Sequence, residues 1–348
     1  MGKTPTLQVL RKFPKAELHC HLDGSVRPET LLDLARAQKV KVPGESADQL
    51  RDYMHVTDAA SLEEYLARFE VTISVMQTAE ALERIAYELV EDNAREGVTY
   101  IEVRNAPVLN INRGLTIPQV VEATVRGLRR GERDFGVAGR FIVCSLRNLS
   151  PEISLDLARI AVDFKHDGVV AFDLAGGEAG YPAADHAKAF AYARNNNLAI
   201  TVHAGEGYGA ASIGQAVHKC CADRIGHGTR LLEDPELAQF VNDRRIALEI
   251  CLSSNVQTRV AASYEAHPLR QYFDKGMNVT LNTDNRLMSN TTLSEEYHHA
   301  ARHLGFTFDE LAAISLNGFK AAFLPWEERM RLVEQASLKI ESLRGLVA

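Results

Sequence analysis

Six residues of this chain have the types and positions needed to hold a metal ion and move protons beside it. His19 and His21 lie two apart in one apolar run, His203 and His227 close two others, Asp284 follows a fourth, and Glu206 stands three residues after His203. Alternation along a strand sends residues i and i+2 to one face. His19 and His21 are therefore expected to point inward together, with Leu18, Cys20 and Leu22 on the other side. Three imidazole nitrogens and one carboxylate oxygen suit zinc, with room for water if one position stays open. A single strand histidine is ordinarily a hydrogen-bonded structural residue. Four imidazoles and an acid at four strand ends call for a common partner.

Glu206 sits just past a strand end, close to the expected metal but off the ligand face. A carboxyl screened from water there stays protonated and serves as a general acid; a helix cap or a solvated position is the plain alternative. In Asp173-Leu174-Ala175-Gly176-Gly177-Glu178 no side chain covers Gly176, so a planar ligand can approach its backbone N–H. A tight turn has equal use for these glycines. No lysine stands at this strand end to bridge two metals as a carbamate, so one metal per chain is expected.

The elements that must position these groups recur as a unit. Short β-rich runs cover Ala16 to Leu22, Val98 to Ala106, Arg140 to Leu146, Val169 to Ala175, Ala199 to Ala204, Arg224 to Gly228, Ala247 to Leu252 and Asn278 to Thr283. Amphipathic stretches such as Ala183 to Asn195, Ile213 to Cys221 and Pro235 to Asp243 separate them. Eight strands alternating with helices predict an α/β fold, a closed (β/α)8 TIM barrel, with the reactive groups at the carboxyl ends of the strands. The first interval is too long for one crossover. Helical patterns at Pro28 to Gln38 and Leu62 to Arg95, with a polar stretch near Pro43 to Asp52 between them, predict extra helices around 28–95, inserted after the first strand. They either build the barrel mouth or brace its wall. The segment from Phe308 onward reads as helical and closes the outer ring, and residues 1–348 read as one domain.

Composition narrows the ligand. The net charge is −7, and lysine and arginine are scattered apart from Arg129, Arg130 and Arg133. Nucleic acid is therefore not an expected partner. Met1 to Lys12 contains no apolar signal core, and no window approaches the roughly 18 apolar residues of a membrane span. No membrane partner and a cytoplasmic location are expected. Five cysteines without a CxxC spacing suggest neither disulfides nor a cysteine-held metal. The sequence is silent on oligomeric state.

The segments Pro14 to Gly24, Asp173 to Gly176, His203 to Glu206, Gly226 to Gly228 and Asn282 to Asp284 together resemble the adenosine deaminase family, in its order and over most of the chain. The resemblance implies a (β/α)8 barrel with one Zn2+ held by His19, His21, His203 and Asp284. It implies that Glu206 protonates the purine N1 and that His227 orients or deprotonates the metal-bound water. It further implies that His21 and Asp23 take part in substrate binding, Asp23 meeting the ribose, and that Gly176 offers its N–H to N3. Many members carry a second Asp after the last ligand, where this chain has Asn285, whose amide can donate to N7 without first taking up a proton. The implied partner is a small-molecule purine nucleoside, adenosine or 2′-deoxyadenosine, in purine salvage. Other 6-aminopurines, such as adenine or 6-aminodeoxyfutalosine, and an inactive metal-binding signalling relative are the alternatives. The H-x-E with P-C-x-x-C pattern of the nucleobase deaminases is absent.

Overall fold

The computed structural model describes residues 4–56 and 68–346. Eight parallel strands pair in chain order: β1 (Lys15–His21), β2 (Val98–Asn105), β3 (Ala138–Leu146), β4 (Val169–Ala175), β5 (Ala199–Ala204), β6 (Arg224–His227), β7 (Ala247–Ile250) and β8 (Val279–Leu281). The seam between the last strand and the first is closed just beyond β8. There Asp284 N donates to His19 O (2.8 Å), His21 N donates to Asp284 O (2.7 Å), and Leu18 N donates to Asn282 Oδ1 (3.0 Å). Closed pairing of this kind with intervening helices is the (β/α)8 barrel.

Each strand is clothed on its outer side by apolar packing. Ala16 and Leu18 of β1 meet Phe319, Val333 and Ala336 of the two helices Phe308–Ala321 and Trp326–Arg344. The inner side is unlike the usual branched aliphatic filling. Arg104, Arg224, Glu17, Glu102, Asp173 and Glu249 are all buried. Arg104 bonds Asp173 (2.9 Å) and Glu249 (2.8 Å), while Arg224 bonds Glu249 (2.6 Å) and Glu102. Buried charges persist only when paired and hydrogen-bonded, and here each guanidinium lies between two carboxylates.

Between β1 and β2 the chain forms helices Pro28–Gln38, Ala47–Met54, Phe69–Val75 and Ala79–Ala94. The first matches its sequence pattern. The second falls where a polar stretch was expected: Ser46 caps it by accepting from Gln49 N, and Leu50 and Met54, four apart, bury its inner edge. Among the described residues the expected helix from Leu62 to Arg95 divides into two. Thr78 leaves the helical region and caps the second by accepting from Ala81 N; positions 62–67 of that expectation lie outside the described residues. Ala79–Ala94 packs along helix Ile117–Phe135 in the outer ring. Four of the five cysteines are buried and all are unpaired. Among the described residues no helix is long and apolar enough to cross a membrane.

Candidate active site

The carboxyl ends of the strands bring all the expected ligands together. His19 and His21 end β1 on its inner face, His203 stands one residue before the end of β5, and Asp284 follows β8 by three residues. One ligand atom from each of these four lies within 4.8 Å of the others. His21 Nε2 and His203 Nε2 face each other at 3.0 Å, and Asp284 Oδ1 is 3.4 Å from Nε2 of both His19 and His21. The backbone does part of the aiming. Asp284 and His227 adopt left-handed φ values of 59° and 63°, a conformation uncommon for side-chain-bearing residues and found where the surroundings over-determine it. Gly226 leaves the room that the cluster needs, since a Cβ there would lie 3.0 Å from His19 Cε1 and 3.1 Å from His203 Cα.

Hydrogen bonds at the far ring nitrogens decide which lone pairs face inward. His19 Nδ1 lies 2.8 Å from Glu249 Oε2, and His203 Nδ1 lies 3.1 Å from Asp173 Oδ1. A carboxylate only accepts, so both Nδ1 atoms carry hydrogen and each Nε2 presents a lone pair. His19 Nε2 is buried without a hydrogen-bond partner. Burial pushes His21 and His203 below the usual histidine range and keeps them neutral. Asp284 remains ionised: against burial, the close approach of His19 holds its carboxyl low. Convergent lone pairs beside an ionised carboxylate, with one of the nitrogens orphaned, form a fitting cage for a divalent cation.

Glu249 and Asp173, which orient these rings, are the groups that sequence reasoning left without a role. Against burial, Arg104 and Arg224 hold Glu249 well below the carboxylate range, and His203 and Arg104 do the same for Asp173. A Glu249→Gln variant should weaken metal binding about 10–100-fold. Competition with a chromogenic chelator measures this, and unchanged affinity would remove Glu249 from the orienting role.

Glu206 stands beside the cage. Its own backbone N–H and that of the preceding residue are fixed by Glu178, which accepts from Gly205 N (3.1 Å) and Glu206 N (2.9 Å). Burial, followed by the charges of Asp284 and Glu178, raises the Glu206 carboxyl well above its usual range. Its Oε2 is 3.3 Å from His227 Nε2. A pocket of about 500 Å³ opens in front of these groups, lined by Asp23, Gly176, Asn285, Phe69, Leu109 and Tyr181 among others. Gly176, which lines the pocket, has φ 93°, in the region that favours glycine. Burial raises the Asp23 carboxyl to about 7, and its Oδ1 is buried without a partner. Asn285 packs so closely on Gly24 that a Cβ there would collide with it.

An ion cage, a protonated acid and a concave pocket at the carboxyl end of a closed parallel barrel define a metal-holding barrel hydrolase. The adenosine deaminase family profile matches residues 14–338. The chain belongs to the adenosine deaminase family and is a hydrolytic deaminase. It is 42% identical to an adenosine deaminase of Mycobacterium ulcerans, the match covering 96% of this chain and 97% of that protein. Among solved structures it is similar to an adenine deaminase from Arthrobacter aurescens (26% identity, TM-score 0.88, covering 94% of this chain and 99% of that one). It is also similar to a zinc-bound amidohydrolase from Burkholderia ambifaria (25%, 0.90, 98% and 94%). An N6-methyl-AMP deaminase from Arabidopsis thaliana is a further neighbour (29%, 0.84, 95% and 98%).

Proposed function

We propose that this chain, acting as one barrel domain over residues 1–348, hydrolyses adenosine and 2′-deoxyadenosine to the 6-oxo nucleosides and ammonia in cytoplasmic purine salvage. One Zn2+ is held by His19, His21, His203 and Asp284. The observation that carries this reading is the Glu206 carboxyl, buried and held above the usual range beside His227 and the cage. A zinc ion bound there supplies a nucleophilic oxygen from water near neutral pH. Glu206 gives its proton to the ring nitrogen N1, which leaves C6 electron-poor and open to attack. As the water oxygen bonds to C6, one water proton replaces the one Glu206 gave to N1 and the other passes to the exocyclic amine; the C6–N bond then breaks and ammonia departs. Gly176 N–H meets N3, the Asn285 amide donates to N7, His21 and Asp23 border the ribose, and His227 orients the attacking oxygen.

Nucleosides are favoured over nucleotides by charge. Among the described residues no lysine or arginine lines the pocket, whereas Asp23 and Glu70 do. A phosphate there would meet carboxylates without a compensating cation. The assay follows absorbance with adenosine, adenine, AMP and 6-aminodeoxyfutalosine, with and without a chelator. Chelator-sensitive conversion of adenosine, with AMP turned over at least 100-fold less efficiently, is the expected result on the scale of one lost charge-assisted contact. Preference for AMP or for free adenine would overturn the nucleoside assignment and leave the deaminase chemistry in place. Asp23→Ala should raise KM for adenosine by about 10–100-fold, the worth of a hydrogen bond to a charged group, with metal content unchanged. An unaltered KM would take Asp23 out of ribose binding.

A further inference from the structure

We infer that His267 sets the tautomer of His227 through Asn255, so that His227 meets the reaction as a hydrogen-bond donor and not as a base or a metal ligand. The inference rests on the functional reading above only in what the donor acts on; the tautomer itself follows from the hydrogen bonds. The chain of donors begins at a group with no choice. Leu269 N–H, the first amide after Pro268 at the start of helix Leu269–Asp274, donates to His267 Nδ1 at 3.1 Å. A backbone N–H only donates, so His267 Nδ1 carries a lone pair and its hydrogen is on Nε2. Burial, which pushes His267 down to about 3, agrees with a neutral ring.

His267 Nε2 lies 3.1 Å from the Asn255 side chain. Because that nitrogen donates, the amide must turn its oxygen toward His267. Thr229 Oγ1 donates to the same oxygen at 2.9 Å. The amide NH2 is thereby aimed the other way, at His227 Nδ1, 3.1 Å distant. His227 Nδ1 must accept, and the ring's only hydrogen sits on Nε2, the atom that faces Glu206 at 3.3 Å. All three side chains are almost wholly buried, so no solvent competes for these bonds.

This relay separates the fourth imidazole from the other three. His227, Cys251 and Asp284 also lie close enough to suggest a second ion cage. With Nδ1 saturated by Asn255 and Nε2 bearing hydrogen, His227 has no lone pair to give to a cation, and that grouping fails on chemistry. His19 and His203, whose Nδ1 atoms donate to carboxylates, have the opposite tautomer and keep Nε2 bare. Asn255 and His267 are thus positioning residues: they touch neither cage nor pocket, yet fix what His227 offers to the attacking oxygen.

The test reads the tautomer directly, by 15N–1H correlation of the chain labelled at its 12 histidine rings, with and without zinc. The His227→Gln spectrum identifies the signals that belong to His227. The expected result is hydrogen on Nε2 and a bare Nδ1 in both forms. Asn255→Asp places a carboxylate, which only accepts, against Nδ1 and should move hydrogen onto that nitrogen. It should lower kcat by roughly 10²–10⁴-fold, the scale of a reversed catalytic tautomer, with KM and zinc content little changed. Wild-type His227 with hydrogen on Nδ1 would overturn the inference, as would Asn255→Asp with unaltered kcat. If that variant does not fold, the wild-type spectrum alone decides. A chain that fails to deaminate adenosine while His227 carries its hydrogen on Nε2 would sink the functional reading and support this one.

Discussion

Glu206→Gln is expected to retain its metal and lose about 10²–10⁴-fold in kcat, the usual contribution of a positioned general acid. The amide has the volume of the acid and can still accept from His227 Nε2 and donate toward a ring nitrogen. It cannot release a proton, so it supports binding but not the step that makes C6 electrophilic. KM should therefore change little, the pattern of an interaction realised only in the transition state. The pH profile supplies a second readout. Burial raises this carboxyl well above the usual range, and the group works in its protonated form. Activity that depends on it is present below its raised pKa and is lost as pH rises through that value. The residual activity of Glu206→Gln should lack this alkaline loss. A variant with wild-type kcat, or one that loses metal in proportion to activity, would remove Glu206 from the role of acid.

Arg104→Met should cost about 3–5 kcal/mol of stability, the largest effect expected from a single change away from the cage. Arg104 is fully buried and lies between Asp173 and Glu249, which themselves hold His203 and His19. Removing the guanidinium leaves the buried Asp173 carboxylate without a cationic partner, whereas Glu249 keeps Arg224. Urea unfolding of the metal-free variant measures the loss without the contribution of bound metal. A loss below about 1 kcal/mol, typical of an exposed pair, would mean that water reaches this network. Asp173→Asn added to Arg104→Met should restore part of the stability, because the stranded charge is then gone.

The strands and their ends were legible in the sequence because each apolar run is short, bounded and finished by a polar residue of unusual type. Runs at Val169 to Ala175 and Ala199 to Ala204 coincide with β4 and β5 residue for residue. All four expected ligands converge because strand alternation, not long-range packing, decides which way His19 and His21 face. The helix Ala47–Met54 was missed because only Leu50 and Met54 of it are buried, too sparse a stripe within a polar stretch. Asp173 and Glu249 went without a role for another reason: hydrogen bonds between distant strands assign it. A signal for the inner ion pairs did exist. Glu17 with His19, and Glu102 with Arg104, stand two apart on their strands, and charged residues sharing the face of the histidines had to find partners there. Asn255 and His267 carried no such signal, since their meeting with His227 is made by the short helix Leu252–Gln257 and the loop that follows it.

Asp284 is also the stitch that closes the barrel, through its backbone bonds to His19 and His21. Next to it, the Leu18–Asn282 bond joins positions 264 residues apart. The cage therefore has no local precursor. A nascent chain that has displayed His19, His21 and even His203 still lacks both the carboxylate and the seam that fixes the first two rings. Contacts of such sequence separation form late, after most loop-closure entropy has been met. For the metal proposed above, capture would wait until the chain has been made past Asp284, so that a loaded cage would mark a closed barrel.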